Sequence, residues 1–105
     1  MSYIIVLTTT PDSESAQKIA DKLLEENLAA CVSFTPVFSS YKWQGRIQKE
    51  NEIELLIKTK AKKYKKVEKI IKSLHTYEIP QIISVKIEQG SCEYLKWIDK
   101  NLKAD

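Results

Sequence analysis

The stretch "ACVSFTPVFSSYKWQGRIQKENEIELLIKT", Ala30–Thr59, decides how this chain folds. Its first arm, to Trp43, is rich in β-branched and aromatic residues. In the second arm, Arg46–Thr59, Ile53, Leu55 and Ile57 alternate with Glu52, Glu54 and Lys58. Alternation with period two is the mark of a strand with one buried face. Between the arms, Gln44-Gly45 is a tight-turn signal, so the arms form a hairpin. Pro36 has no N–H for a ladder, which predicts a bulge or an edge position for the first arm.

Working outward, "YIIVLTT", Tyr3–Thr9, is short, apolar and β-branched and reads as a buried first strand. Asp12 or Thr10 then caps a helix with Ala16, Ile19, Ala20, Leu23, Leu24 and Leu28 on its apolar face. Beyond the hairpin, Tyr64, Val67, Ile70, Ile71 and Leu74 mark a second amphipathic helix with its lysines outside the stripe. "PQIISVKIE", Pro80–Glu88, reads as a fourth strand with Ile83, Val85 and Ile87 on one side. Ser91 caps a last helix carrying Tyr94, Leu95, Ile98 and Leu102. The expected fold is α+β: a single ferredoxin-like βαββαβ domain over residues 1–105, with an extended central hairpin and a C-terminal helix.

Bulk properties narrow the function. The chain has 105 residues, 43% hydrophobic and 30% charged, with a formal net charge of +3. One core of this size is expected, and no apolar run is long enough for a bilayer. The first residues lack a basic leader, so a cytoplasmic location is expected. Cys31 and Cys92 do not have zinc-finger spacing. Lys58–Lys72 holds eight lysines and one acid, Glu68, which raises a nucleic-acid module as an alternative. The chain has one arginine, Arg46, and no aromatic glycine-rich strand motif, so a solvated helix face is the preferred reading. No glycine-rich phosphate loop or marked nucleophile points to an enzyme.

Each hairpin arm spans roughly 40 Å at strand rise, whereas a domain of this length is about 35 Å across. The tip therefore overhangs, carrying Phe38, Tyr41 and Trp43, and a second subunit is expected to receive it.

"AACVSFTPVFSSYKWQG", "EIELLIKT", "LHTYEIPQII" and "YLKWI" together resemble, in order and spacing, the CutA family of divalent-cation-tolerance proteins. The resemblance implies a ferredoxin-like subunit in a homotrimer with inter-subunit strand pairing. It implies tolerance of divalent metal, with copper the ion most often named, and no established catalysis. The trimer resembles that of the PII signalling proteins, so a small-effector sensor is the alternative. Thr76 and Gln81 stand where the family usually has proline and often glutamate, which weakens a metal role here.

His75 is the only histidine, and imidazole binds copper or zinc well. With Glu78 it is the candidate metal pair; a helix C-terminal histidine hydrogen-bonded to the last carbonyls of its helix is the alternative. Tyr41, Trp43, Glu52, Lys58 and Tyr77, at matched family positions, are the candidate lining of an inter-subunit cleft. Lys58, on an apolar strand, would either hold a small anion there or pair with Glu52 or Glu78. Glu50, Glu52 and Glu54 fall on one strand side; a solvated strand is preferred to a cation site.

Overall fold

The computed structural model describes residues 2–104. Four strands and three α-helices follow in the order β1 (Tyr3–Thr10), α1 (Ser13–Glu25), β2 (Cys31–Trp43), β3 (Arg46–Lys60), α2 (Tyr64–Leu74), β4 (Ile83–Lys86) and α3 (Cys92–Lys100), with a short 3₁₀ turn, Ala61–Lys63, before α2. The sheet order is β2-β3-β1-β4, with every neighbouring pair antiparallel. That order, with α1 and α2 on one face, is the expected ferredoxin-like arrangement.

The hairpin forms as its turn chemistry requires. Gln44 and Gly45 have φ of 51° and 77°, the left-handed pair of a type I′ turn whose twist matches the strands it joins. The turn fixes the register: Trp43 faces Arg46, and the ladder runs unbroken to Cys31 opposite Lys58. Pro36 therefore sits in a regular ladder opposite Ile53, without a bulge. It is tolerated because β2 is an edge strand.

One face of the sheet is covered. Ile4 and Val6 of β1 and Leu55 and Ile57 of β3 pack with Ala16, Ile19 and Leu23 of α1 and Val67 and Ile71 of α2. Burying each large aliphatic side chain contributes about 1.5–3 kcal/mol. Asp12 is the α1 cap: its Oδ1 accepts from the Ser15 N–H at 2.8 Å. That bond holds the Asp12 carboxyl below the usual carboxylate range. Ser91 caps α3 in the same way, accepting from the Tyr94 N–H at 3.2 Å.

The opposite face is open. Ile5 pairs with Val85, and Leu7 stands between Leu56 and Ile83, leaving an apolar strip with Ile83 49% and Val85 45% exposed. The body measures 44 × 26 × 20 Å, its long axis matching the length of one hairpin arm. Phe38 and Ile47 on the ribbon are each 69% exposed.

Two expectations need correction. The fourth strand is Ile83–Lys86, extended by one bond from the Ile87 N–H to the Tyr3 carbonyl, rather than Pro80–Glu88. Residues 80–82 stand outside the ladder although β1 runs on to Thr10; at that level the Thr9 carbonyl accepts from the His75 ring instead of from a strand. The α2 lysines, Lys65, Lys66, Lys69 and Lys72, are exposed as expected, but the lysine run is not solvated throughout: before the helix Lys63 is 1% and Lys60 5% exposed, and Lys60 Nζ donates to Asp99 Oδ1 of α3. The long Lys60 stem lies between the sheet end and the last helix. No helix among the described residues is long and apolar enough to cross a membrane.

Candidate functional site

Register brings the site together. On β2, Val37, Ser39, Tyr41 and Trp43 face Glu52, Glu50, Gln48 and Arg46 on β3, so all lie on the open side of the sheet. The turn after α2, residues 75–82, folds over this end of the ribbon. Together they enclose a cavity of 880 Å³ lined by Tyr41, Trp43, Glu50, Glu52, Tyr77 and Glu78, with Thr9 at its floor.

His75 anchors the turn. Its Nε2 lies 2.7 Å from the Thr9 carbonyl oxygen, and its Nδ1 accepts the Tyr77 N–H at 3.0 Å. Because Nδ1 accepts, the ring proton is on Nε2 and is donated to Thr9. Both nitrogens are thereby engaged, and the ring lies 4.7 Å from that of Tyr77. His75 does end α2, its backbone N–H bonded to the Ile71 carbonyl at 2.9 Å, but its ring bonds the Thr9 carbonyl of β1 rather than the last carbonyls of the helix. The stabilisation is local to the turn: His75→Ala is expected to destabilise the chain by about 1–2 kcal/mol by losing these bonds. A urea midpoint unchanged from the parent would refute the anchoring role.

Tyr77 then reaches Glu52. Its hydroxyl donates to Glu52 Oε2 at 2.8 Å. Burial, the Glu52 hydrogen bond and the negative charges of Glu52 and Glu50 push the Tyr77 phenol well above its ordinary value. The same kinds of cause, burial first and then Glu50, push up Tyr41. Glu52 itself is 6% exposed. Glu50 and Glu54 are half-buried, so the solvated-strand reading of the three acids fails.

Lys58 departs from expectation. It does not line the cavity, and it pairs with neither Glu52 nor Glu78. Six residues along β3 from Glu52, it is about 20 Å away, and its Nζ donates to Ser33 Oγ at 3.3 Å. Cys31 Sγ lies 4.0 Å from the same Ser33 oxygen, and neither cysteine is in a disulfide. Of the named candidates, Tyr41, Trp43, Glu52, Tyr77 and Glu78 converge; His75 supports them from behind the turn, and Lys58 stands apart. Glu50 was the missed member, although its signal lay in the period-two spacing from Glu52.

A metal ion needs several donors within about 2–2.5 Å of one point. Among the described residues no three His, Cys, Asp or Glu side chains are grouped to provide that. With His75 engaged at both nitrogens, a single chain does not fit a metal ion.

A four-stranded antiparallel sheet in the order β2-β3-β1-β4, with one apolar face left open and an acidic, aromatic cavity on its long hairpin, defines a ferredoxin-like α+β protein. The chain belongs to the CutA1 divalent ion tolerance protein family, whose model matches residues 4–101. It is 42% identical over 98 residues to the divalent-cation tolerance protein CutA of Thermus thermophilus, across 92% of this chain and 95% of that one. CutA1 from Oryza sativa superposes with a TM-score of 0.95 at 31% identity, over 100% of this chain and 97% of that one. The periplasmic divalent cation tolerance protein CutA from Archaeoglobus fulgidus gives a TM-score of 0.94 at 37% identity, over 96% and 99% respectively.

Proposed function

We propose that this protein serves divalent-cation tolerance as a cytoplasmic homotrimer, a single domain over residues 1–105 in each subunit, with copper the cation it takes. Membership of the family supports the tolerance role. The observation that carries the assembly is the open sheet face. Ile5, Leu7, Leu56, Ile83 and Val85 form one apolar strip that no element of the described chain covers. An apolar sheet face in water favours a second copy. The exposed ribbon, with Phe38 and Ile47, supplies further surface for a neighbour.

Pooling of donors from neighbouring subunits answers the shortage of ligands in one chain. Glu78, exposed at the turn, is the donor we assign to the metal. His75 joins it only when its ring releases Thr9 or Tyr77. Lys58, on the open face, is available to a neighbour's carboxylate or to a small anion held between subunits. Two free thiols support a reducing compartment.

Native mass spectrometry with Cu(II) and Zn(II) tests the reading. The expected species is a trimer at low micromolar concentration that retains Cu(II), with retention reduced in Glu78→Gln. A species of only 12.1 kDa would refute the assembly, and a trimer that retains neither metal would refute the metal role.

A further inference from the structure

The cavity is built for something larger than a metal ion. At 880 Å³ it is in the size range of small-molecule sites, while no metal cluster is present among the described residues. Its charge has one sign. Glu50, Glu52 and Glu78 line it, and no lysine, arginine or histidine does. Glu52 is 6% exposed, yet among the described residues it has no ion-pair partner; its neighbour is the Tyr77 hydroxyl at 2.8 Å. A carboxylate taken out of water calls for a cation. An anion would meet three like charges there. The remaining walls are aromatic: Tyr41, Trp43 and Tyr77. Aromatic faces attract cations, most strongly those that shed water easily.

We infer that this cavity binds a small organic ammonium ion, with Glu50 and Glu52 neutralising its charge and Trp43 and Tyr41 covering its alkyl surface. The two tyrosines serve the carboxylates. Tyr77 fixes Glu52 by donating to Oε2, which leaves Oε1 for the ligand. Burial, and then the Glu50 beside it, raise the Tyr41 phenol above its ordinary value. Gln48 and Ser39, across the same ribbon, add neutral polar groups for an N–H donor. The inference goes beyond the metal role and does not depend on it. Metal at the turn uses Glu78, whereas the ammonium site uses Glu50 and Glu52.

Fluorescence of Trp43 is the readout. The chain has two tryptophans, and Trp97 stacks on Tyr94 of α3, away from the cavity. In a Trp97→Phe background, tetramethylammonium chloride and methylammonium chloride are titrated against sodium chloride at equal ionic strength. The expected result is a saturable change in Trp43 emission with an ammonium salt and none with sodium. Glu50→Gln should weaken the apparent affinity about tenfold, the loss of one close charge contact. Glu52→Gln, with the same expected loss, serves as the variant if Glu50→Gln is not folded by circular dichroism. A response that tracks sodium chloride, or a saturable response unchanged in a folded Glu50→Gln or Glu52→Gln variant, would overturn the inference. A protein that shows no ammonium binding yet retains Cu(II) in native mass spectrometry loses this inference alone.

Discussion

Replacing Ile57 with alanine is expected to destabilise the protein by about 2–5 kcal/mol, the usual range for a fully buried aliphatic truncation. Ile57 is 0% exposed, in the middle of β3, opposite Val6 on β1 and Val32 on β2, and under α1 and α2. The site has little freedom to collapse, because a central strand is held by ladders on both sides. A domain of this size has about 5–15 kcal/mol in all, so the loss is a large share. The urea midpoint, read at several protein concentrations, reports it. A shift equivalent to less than about 1 kcal/mol would place Ile57 outside the core. The companion variant is Val85→Ala on the other side of the sheet. Val85 is 45% exposed in one chain. In a monomer its truncation should move stability by about 0.5 kcal/mol or less. In a trimer closed over this face, the loss should be larger and should depend on protein concentration.

The contrast between Ile57 and Val85 shows what the sequence could and could not carry. Alternation in β3 marked Leu55 and Ile57 as inward, and the structure has both at 0% exposure. Gln44-Gly45 marked the turn, and Asp12 and Ser91 marked two helix starts, because those signals act within a few residues. The length of β4 was not local information. "PQIISVKIE" has strand-like composition throughout, but the ladder takes only Ile4–Leu7 of β1, which itself runs to Thr10, because the Thr9 carbonyl is bonded to the His75 ring from a distant turn. The burial of Lys60 was equally hidden, since it depends on where α3 lands.

The site was half legible. Tyr41, Trp43, Glu52, Tyr77 and Glu78 are candidates from sequence alone, and one further step is open. A two-residue turn at Gln44-Gly45 sets Trp43 opposite Arg46, and counting back places Tyr41, Glu50 and Glu52 on one face. Charge repulsion along the strand instead suggested solvated acids. What overrides that suggestion is the turn at residues 75–82, which arrives from a distant part of the chain and carries Tyr77 to Glu52. Lys58 illustrates the reverse error. Its apolar neighbours made it conspicuous, but strand rise alone separates it from Glu52.

Tyr77→Phe is expected to produce the second large effect, about 1.5–3 kcal/mol near neutral pH, the range for a hydrogen bond to a charged group. The ring remains, so packing against His75 is retained, and the loss is that of the hydroxyl donated to Glu52. The dependence on pH identifies the cause. The Tyr77 phenol is raised in the folded chain by burial, the Glu52 bond and the charges of Glu52 and Glu50. A raised phenol means that the folded chain holds this proton more tightly than the unfolded chain does. The stabilisation is therefore fully present below the ordinary tyrosine value near 10 and declines as pH rises above it. Phenylalanine has no such proton. The parent and variant stabilities should therefore differ most between pH 7 and 9 and converge as pH rises toward 11. Taking the difference removes the contributions of the lysines and other tyrosines, which titrate in both proteins. Urea unfolding of both at pH 7, 9 and 11 supplies the comparison. Parallel stability curves across that interval would show that Tyr77 acts through its ring alone and that the buried Glu52 carboxylate is held by another group.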